Sequence, residues 1–395
     1  MKRLLEVASR ETRRVLGLMS GTSADGADAA LVELRGSGGD LSWELLSFEH
    51  RPYPEDLREE LFAIFDAARG DLAGIIALEN RITREFAAAG LDALTRAGLK
   101  PGEIDLVGSH GQTLWHAPPR VAGPERAGSW QAGSAPALAE ALGAPVVFDF
   151  HSRDISVGGE GAPLVPYADF LLLGREGTGR LMLNIGGTAD LACLPPAAEA
   201  GAILAFDTGP GNMVIDETVR ALTGGKRNYD PEGRMASEGK VSRDLLEQLL
   251  RHPFFRRQPP RSTGREEFGS RYATTVLGKG RHLGLDNSDI LATVTALTAR
   301  TIGDAIKEFV PMARELGEII ASGGGVHNAT LMKALAAELP SGLTLRTSDE
   351  FGLPVDAKEA IAHAVLANET LSGRPANLPG ATGAARQVLL GSIVP

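Results

Sequence analysis

Cysteine is almost absent: among 395 residues only Cys193 is one, which excludes an intrachain disulfide and any zinc site built from several thiolates. Its neighbours Leu191, Ala192 and Leu194 make it a packing thiol on a strand rather than a nucleophile. Dense lysine and arginine runs are also missing. Lys+Arg 40 against Asp+Glu 50 leaves a formal charge of −10, a surface that repels nucleic-acid phosphate, so no nucleic-acid partner is expected. No apolar stretch approaches the roughly 20 residues that span a bilayer. Met1 to Arg14 is charged and carries no run resembling a signal peptide. No membrane partner is expected, and the cytoplasm is the expected location.

The chain is too long for one ordinary core and suits two domains, with 43% hydrophobic and 23% charged residues, the balance of a globular protein. Strand and helix patterns alternate through most of it, an α/β signature. Strands are expected at Val15–Met19, Ala27–Leu34, Asp105–Gly108 and Pro145–Phe150, with helices near Glu55–Ala68, Leu72–Ala97 and Ala135–Leu142. A second series has strands at Leu181–Ile185, Asp190–Leu194, Ile203–Phe206, Glu318–Ala321 and Leu343–Arg346. Its helices are expected at Met213–Leu222, Arg243–Arg251, Ser288–Val310, Ala329–Glu338 and Ala357–Leu371. Strand, glycine turn and strand at 15–34 recur at 181–194, a repeat of pattern more than of letters.

Four glycine-rich segments could carry chemistry. In the first, Ser20, Gly21, Thr22, Ser23, Asp25 and Gly26 follow a strand end. They offer N–H groups and hydroxyls to a phosphate, with Asp25 or Asp28 available to Mg²⁺ through water. No lysine follows the glycines, so this is not a P-loop, and the same residues also make an ordinary β-turn. The second is the equivalent turn of the later hairpin, with Asn184, Gly186 and Gly187. In the third, Asp207 leaves an apolar strand and enters a loop, Gly209, Gly211 and Asn212, that opens a helix. There the carboxylate reads as a general base facing a cleft or as a turn residue. The fourth, Gly323, Gly324 and Gly325 up to Asn328, lets backbone lie flat on a planar ligand such as adenine. His110 and Gln112, and later Arg153 and Asp154, present polar groups suited to sugar hydroxyls. Glu359 belongs with them if it reaches the cleft, and otherwise lies on a solvated helix face. His110 and His116 look too isolated for a metal site.

Taken in order, GLMSGTSADG at 17–26, GSHGQT at 108–113, GGEGAPLVP at 158–166, NIGG at 184–187 and FDTGPGN at 206–212 resemble the anhydro-N-acetylmuramic acid kinase family. STGRE at 262–266, SGGGVHN at 322–328, KEA at 358–360 and NLPGATGA at 377–384 extend the resemblance over nearly the whole chain. It implies an actin-like α/β fold of two lobes, each on a five-stranded mixed sheet, with ATP and Mg²⁺ in the interlobe cleft. Lobe I would be 1–150 plus about 373–395, and lobe II 151–372. The implied reaction hydrolyses a 1,6-anhydro bridge and phosphorylates O6, within the recycling of cell-wall muropeptides. Asp207 falls on the catalytic carboxylate, Ser20 to Gly26 on the phosphate clasp, and Gly323 to Gly325 on the adenosine contact. A homodimer is the implied assembly.

One carboxylate suffices for that reaction. Opening the bicyclic acetal develops positive charge at the anomeric carbon, as in glycoside hydrolysis. The leaving O6 is captured by phosphorus, so no acid is needed to protonate it, and phosphoryl transfer asks mainly for positioning and charge neutralisation. Two positions depart from the family pattern: His151 stands where arginine is common, and Asp190 where asparagine is. The first bears on how a lactyl carboxylate is held and keeps a levoglucosan kinase-like activity in view. A binding protein without turnover would have lost Asp207 or the first turn, and both are present.

Overall fold

The computed structural model describes residues 1–21, 23–67, 71–174, 177–196, 203–310, 313 and 316–395. The chain forms two compact units, Met1–Gly174 with Ala357–Pro395, and Arg175–Asp356. In chain order the strands are β1 (Thr12–Ser20), β2 (Gly26–Arg35), β3 (Ser42–Pro52), β4 (Leu106–Ala117), β5 (Gly128–Ala132) and β6 (Val146–Phe148). They continue with β7 (Arg180–Ile185), β8 (Thr188–Leu194), β9 (Leu204–Pro210), β10 (Glu318–Ser322), β11 (Thr344–Thr347) and β12 (Ser392–Val394). The principal helices begin with α1 (Glu55–Ala67), α2 (Leu72–Arg96), α3 (Ala135–Leu142), α4 (Ser152–Ser156) and α5 (Val165–Leu173). The second unit holds α6 (Met213–Thr223), α7 (Arg243–Leu249), α8 (Ser270–His282), α9 (Asn287–Phe309) and α10 (Ala329–Glu338), and α11 (Lys358–Leu371) returns to the first. No helix among the described residues is long and apolar enough to cross a membrane.

The sheet of the first unit runs β12-β6-β4-β1-β2-β3, with β5 paired to β4, and that of the second runs β11-β10-β7-β8-β9. In the first, β1 pairs antiparallel with β2 and β2 with β3, while β1–β4 and β4–β6 are parallel. The second repeats this strand for strand: β7–β8 and β8–β9 antiparallel, β7–β10 and β10–β11 parallel. The hairpin repeat visible in the sequence is therefore the start of a duplicated sheet.

Alternation along β1 sends Leu16 to one face and Gly17 to the other. On the Leu16 side lies α2, whose Leu78, Ile82, Phe86, Ala89 and Ala93 are buried, and Gly90 touches both Leu16 and Leu142. On the other side α11 presses its backbone onto the sheet: a Cβ at Gly17 would sit 1.8 Å from Ala360 O, and one at Gly108 2.2 Å from His363 O. Only glycine permits so close an approach. Lys358 Nζ, fully buried, donates to Asp169 Oδ2 at 2.9 Å and ties α11 to α5. The expected lobe boundaries at 150 and 372 are corrected accordingly, because α4, α5 and α11 pack with the first sheet. In the second unit α9 lays Ala299, Ile302 and Ile306 against Leu181, Leu183, Ile185 and Phe206. Its N-terminal half, with Ile290, Val294 and Leu297, covers a second cluster that includes Val214, Phe254 and Phe268. Cys193, on β8, is half-buried against the first of these cores.

Burying one charge without its partner is far costlier than burying neither. Lys358→Met should therefore destabilise the first unit by about 3–5 kcal/mol, while Lys358→Met combined with Asp169→Leu recovers most of the loss. Denaturant unfolding of the single and double variants measures this directly.

Candidate active site

In the first unit the hairpin turn between β1 and β2 is held from below. Ser20 Oγ lies 2.7 Å from Gly26 O and 2.7 Å from Gln112 Oε1, and Gln112 Nε2 donates to Gly21 O at 3.2 Å. Ser20 and Gln112 are both buried. Gln112 thus acts as a strut for the turn and is not a sugar-facing group. The GSHGQT segment lies inside β4, which runs on to Ala117 past a register shift between the pairs Leu18–Ser109 and Ser20–Gln112. Asp25 is exposed, and its Oδ1 accepts from Ser23 Oγ at 2.9 Å. Asp28 pairs with His50 at 2.7 Å. Thr22 lies outside the described residues.

Asp154 is fully buried, with Asn377 Nδ2 at 2.7 Å, Thr382 Oγ1 at 2.8 Å and Gly161 N at 2.9 Å all donating to it. It fastens the 158–161 glycine loop to the NLPGATGA tail, so the sugar contact expected of it is replaced by a positioning role. Arg153 is exposed, its Nη1 reaching Leu389 O at 3.4 Å. Glu359 opens the first turn of α11, half-buried.

Histidines far apart in sequence meet here. The His110 ring lies 4.7 Å from that of His363, tilted to it, and 5.1 Å edge-on from that of His151, which lies 6.2 Å from His116. His110 and His116 are therefore not isolated, although no group of three or more metal-holding side chains exists among the described residues. Nδ1 of His110 donates to Gly111 O, and that of His363 to Glu359 O, each at 2.8 Å. Burial, above all, lowers these rings to about 4 for His110 and His116 and about 3 for His363. His151 lies well below its ordinary value for the same reason, with the neighbouring rings adding to the shift. All four are neutral at pH 7.

In the second unit Asn184, Asp190 and Asp207 stand in register across β7, β8 and β9. Asn184 Nδ2 donates to Asp190 Oδ2 at 3.1 Å. Asp207 is 8% exposed and sits inside β9, which continues to Pro210, so the carboxylate is presented by the strand and not by a loop beyond it. A register shift between Ala189 and Asp190 leaves Thr208 as an extra residue, a bulge of the kind that re-aims a side chain beside a site.

The segment 254–268, which contributed no residue to the expected site, builds the surroundings of Asp207. Thr263 N donates to Asp207 Oδ2 at 2.7 Å. Arg261, buried among Phe206, Phe254 and Phe309, donates Nε to Asp207 O at 2.8 Å and Nη1 to Arg257 O at 2.9 Å. Burial first, and the charge of Asp190 second, hold Asp207 well above the usual carboxylate range. Thr263 N–H and Arg261 pull it back, and Glu266 adds a smaller upward push. A carboxylate with one oxygen fixed and raised proton affinity is equipped to take a proton from water.

The glycines separate by cause. A Cβ at Gly211 would lie 2.4 Å from Gly186 O, at Gly323 2.6 Å from Asn184 Oδ1, at Gly325 2.3 Å from Ile185 Cγ2 and at Gly26 2.4 Å from Arg51 O. The protein's own packing requires those four. At Gly21, Gly186 and Gly324 nothing comes closer than 3.6, 3.7 and 3.9 Å, so the protein's own packing does not require glycine there. The helix start after Gly209 is not open to phosphate: Gly211 N and Met213 N donate to Gly187 O, and Asn212 N to Gly186 O. Asn328 caps α10, its Oδ1 accepting from Leu331 N at 2.9 Å, and Gly324–His327 coils as a 3₁₀ turn instead of lying flat.

Two copies of one five-strand order, each headed by a glycine turn, give the chain an actin-like α/β fold. The family model described as anhydro-N-acetylmuramic acid kinase matches residues 13–395. Proteins of that name from Caldanaerobacter subterraneus subsp. tengcongensis and Salinibacter ruber are each 42% identical over 395 residues, covering all of this chain and 100% and 99% of their own. One from Synechocystis is 40% identical over 386 residues, covering 96% of this chain and 97% of its own. The chain belongs to the anhydro-N-acetylmuramic acid kinase family.

The histidine cluster should make the first unit acid-sensitive. Unfolded histidines take up protons near 6.5, while the folded rings refuse them down to about 4. The unfolded state therefore binds more protons across that window, and stability falls as pH drops through it. Urea midpoints at pH 7.5, 6.0 and 5.0 should decline for the parent and decline less for His363→Phe.

Proposed function

We propose that the protein opens the 1,6-anhydro bridge of 1,6-anhydro-N-acetylmuramic acid with water and transfers the γ-phosphoryl group of ATP to O6. The products are N-acetylmuramic acid 6-phosphate and ADP, and the role is recycling of peptidoglycan sugars. The observation that carries the reading is the buried Asp207 carboxylate, with Oδ2 held by Thr263 N–H and its proton affinity raised mainly by burial. In the reaction Asp207 removes a proton from water as the water oxygen bonds to C1. The C1–O6 bond breaks with its electron pair on O6, and O6 takes the phosphoryl group while ADP departs. One proton is released overall, first onto Asp207. Arg261 keeps its guanidinium on backbone carbonyls and leaves the carboxylate able to accept it.

Gly21, Gly186 and Gly324, open on the side where a Cβ would stand, are the backbone positions best suited to approach by nucleotide. Mg²⁺ would arrive on the nucleotide phosphates, whose charge it neutralises, with exposed Asp25 touching it through water. The family resemblance also carries a homodimer and a cytoplasmic location.

A second reading, a levoglucosan-type sugar as substrate, is favoured by one observation. Neutral His151, packed among other neutral imidazoles, brings no fixed positive charge for a lactyl carboxylate. ADP release with Mg²⁺-ATP across 1,6-anhydro-N-acetylmuramic acid, levoglucosan and free N-acetylmuramic acid separates the readings. Turnover of the first supports the recycling kinase, preference for the second supports the alternative, and turnover of the third alone overturns coupled ring opening. Asp207→Asn should lose turnover by at least about 100-fold while binding sugar and nucleotide. Because it removes a poorly solvated charge, it should also melt no lower than the parent at pH 7.5.

A further inference from the structure

We propose that Asp190 and Asp207 act as a carboxylate pair in which the charge of Asp190 tunes the base. This rests on the reading of Asp207 as the base and goes beyond it by naming the residue that sets its strength.

The geometry comes from the sheet. Asp190 on β8 is paired in register with Asp207 on β9, and directly opposed residues of antiparallel strands share a face with Cβ atoms roughly 5 Å apart. Like charges placed directly opposite are unfavourable, so the pair needs a reason. Asp190 is held by the next strand, where Asn184 stands in register with it and donates Nδ2 to Oδ2 at 3.1 Å. Asp207 is held from the other side by Thr263 N at Oδ2. Each carboxylate is thus fixed by a neutral donor.

The remaining charges facing Asp207 do not neutralise it. Arg261 donates to the carbonyl oxygens of Asp207, Thr208 and Arg257, and it also feels Glu308 and Arg257. Glu266, on the same segment, adds only a smaller repulsion, and its own carboxyl is itself pushed up, chiefly by burial. Arg257 is paired with Glu267. The strongest charge on Asp207 from a neighbouring side chain is therefore that of Asp190, and it is repulsive.

The consequence is chemical. With both groups ionised, moving the water proton onto Asp207 relieves the repulsion, so the base is stronger in the step where it must act. Groups coupled in this way titrate jointly. Asn at 190 would keep an oxygen for Asn184 Nδ2 and lose only the charge. Asp190 is a positioning residue in this sense: it acts through Asp207 and touches no reacting atom.

The test is the pH dependence of kcat/KM with Mg²⁺-ATP and the turned-over sugar, for the parent, Asp190→Asn and Asp207→Asn. In Asp190→Asn the acid limb should move down by about one pH unit, and the plateau should fall about threefold with the weaker base. A merely structural role for Asp190 would lower rates at every pH and leave the limb in place, and that result overturns the pair. Full turnover in Asp207→Asn overturns the base assignment itself. An inactive Asp207→Asn with an unmoved limb in Asp190→Asn removes the pair alone. Should Asp190→Asn turn over too slowly for a profile, carboxyl-carbon NMR of labelled aspartate reads the Asp207 titration directly. The same downward shift supports the pair, and an unchanged titration overturns it.

Discussion

The second unit is arranged around the burial of one carboxylate. Taking Asp207 out of water penalises its charged form, and the chain returns only part of the loss, through one backbone N–H and a nearby guanidinium. Arg261 could have closed the account as a direct ion pair, which pulls a carboxylate down by 1–3 pKa units. Instead it is wedged among Phe206, Phe254 and Phe309 and turned onto backbone carbonyls. The segment 254–268 is anchored by that contact and by Phe254 and Phe268 in the core, so the carboxylate and its surroundings are fixed by the same packing.

The duplicated sheets use their equivalent hairpin turns differently. In the first unit a side chain from the neighbouring parallel strand, Gln112, braces the turn at Ser20 and Gly21. In the second the brace is main chain: the carbonyls of Gly186 and Gly187 accept the N–H groups that open α6. A helix start attracts anions only while its N–H groups are free. The FDTGPGN loop therefore supports the glycine turn, and the faces left open are at Gly21 and Gly186 themselves.

Much of the fold was legible because its core strands and long helices carry unbroken periodicity; α3 and α10 match their expected bounds residue for residue. β3 was not, because its alternation breaks where Leu31 and Val32 pair with Ser47 and Leu45, leaving Leu46 over. α5 carries apolar residues on nearly every side, Asp169 being the exception, with Pro166 in its first turn, so no single apolar face stands out. Asp207 stood out as a carboxylate amid glycines, with a turn role equally open from the sequence. Gln112 and Asp154 were polar residues in promising motifs, and nothing local marks that their partners lie elsewhere in the fold; Asn328 is a helix cap whose partner, Leu331 N, lies one turn on. Thr263 and Arg261 were missed for the converse reason, since they serve Asp207 from more than 50 residues away.

His151 shows how one departure from a family pattern is absorbed. Its ring lies against His110 and His116, and a permanent charge at 151 would sit beside imidazoles that burial already keeps neutral. An imidazole can shed its proton and join them, whereas a guanidinium cannot. The cluster is thus self-consistent as a neutral group, with acid sensitivity as the physical cost of packing titratable rings together. The charge missing from 151 and the charge present at 190 act in opposite chemical directions: one removes a fixed cation from beside the cluster, the other adds an anion beside Asp207. Under the proposed reading, the residue that bears on substrate preference and the one that bears on base strength lie in separate units of the chain, so each can be altered without the other.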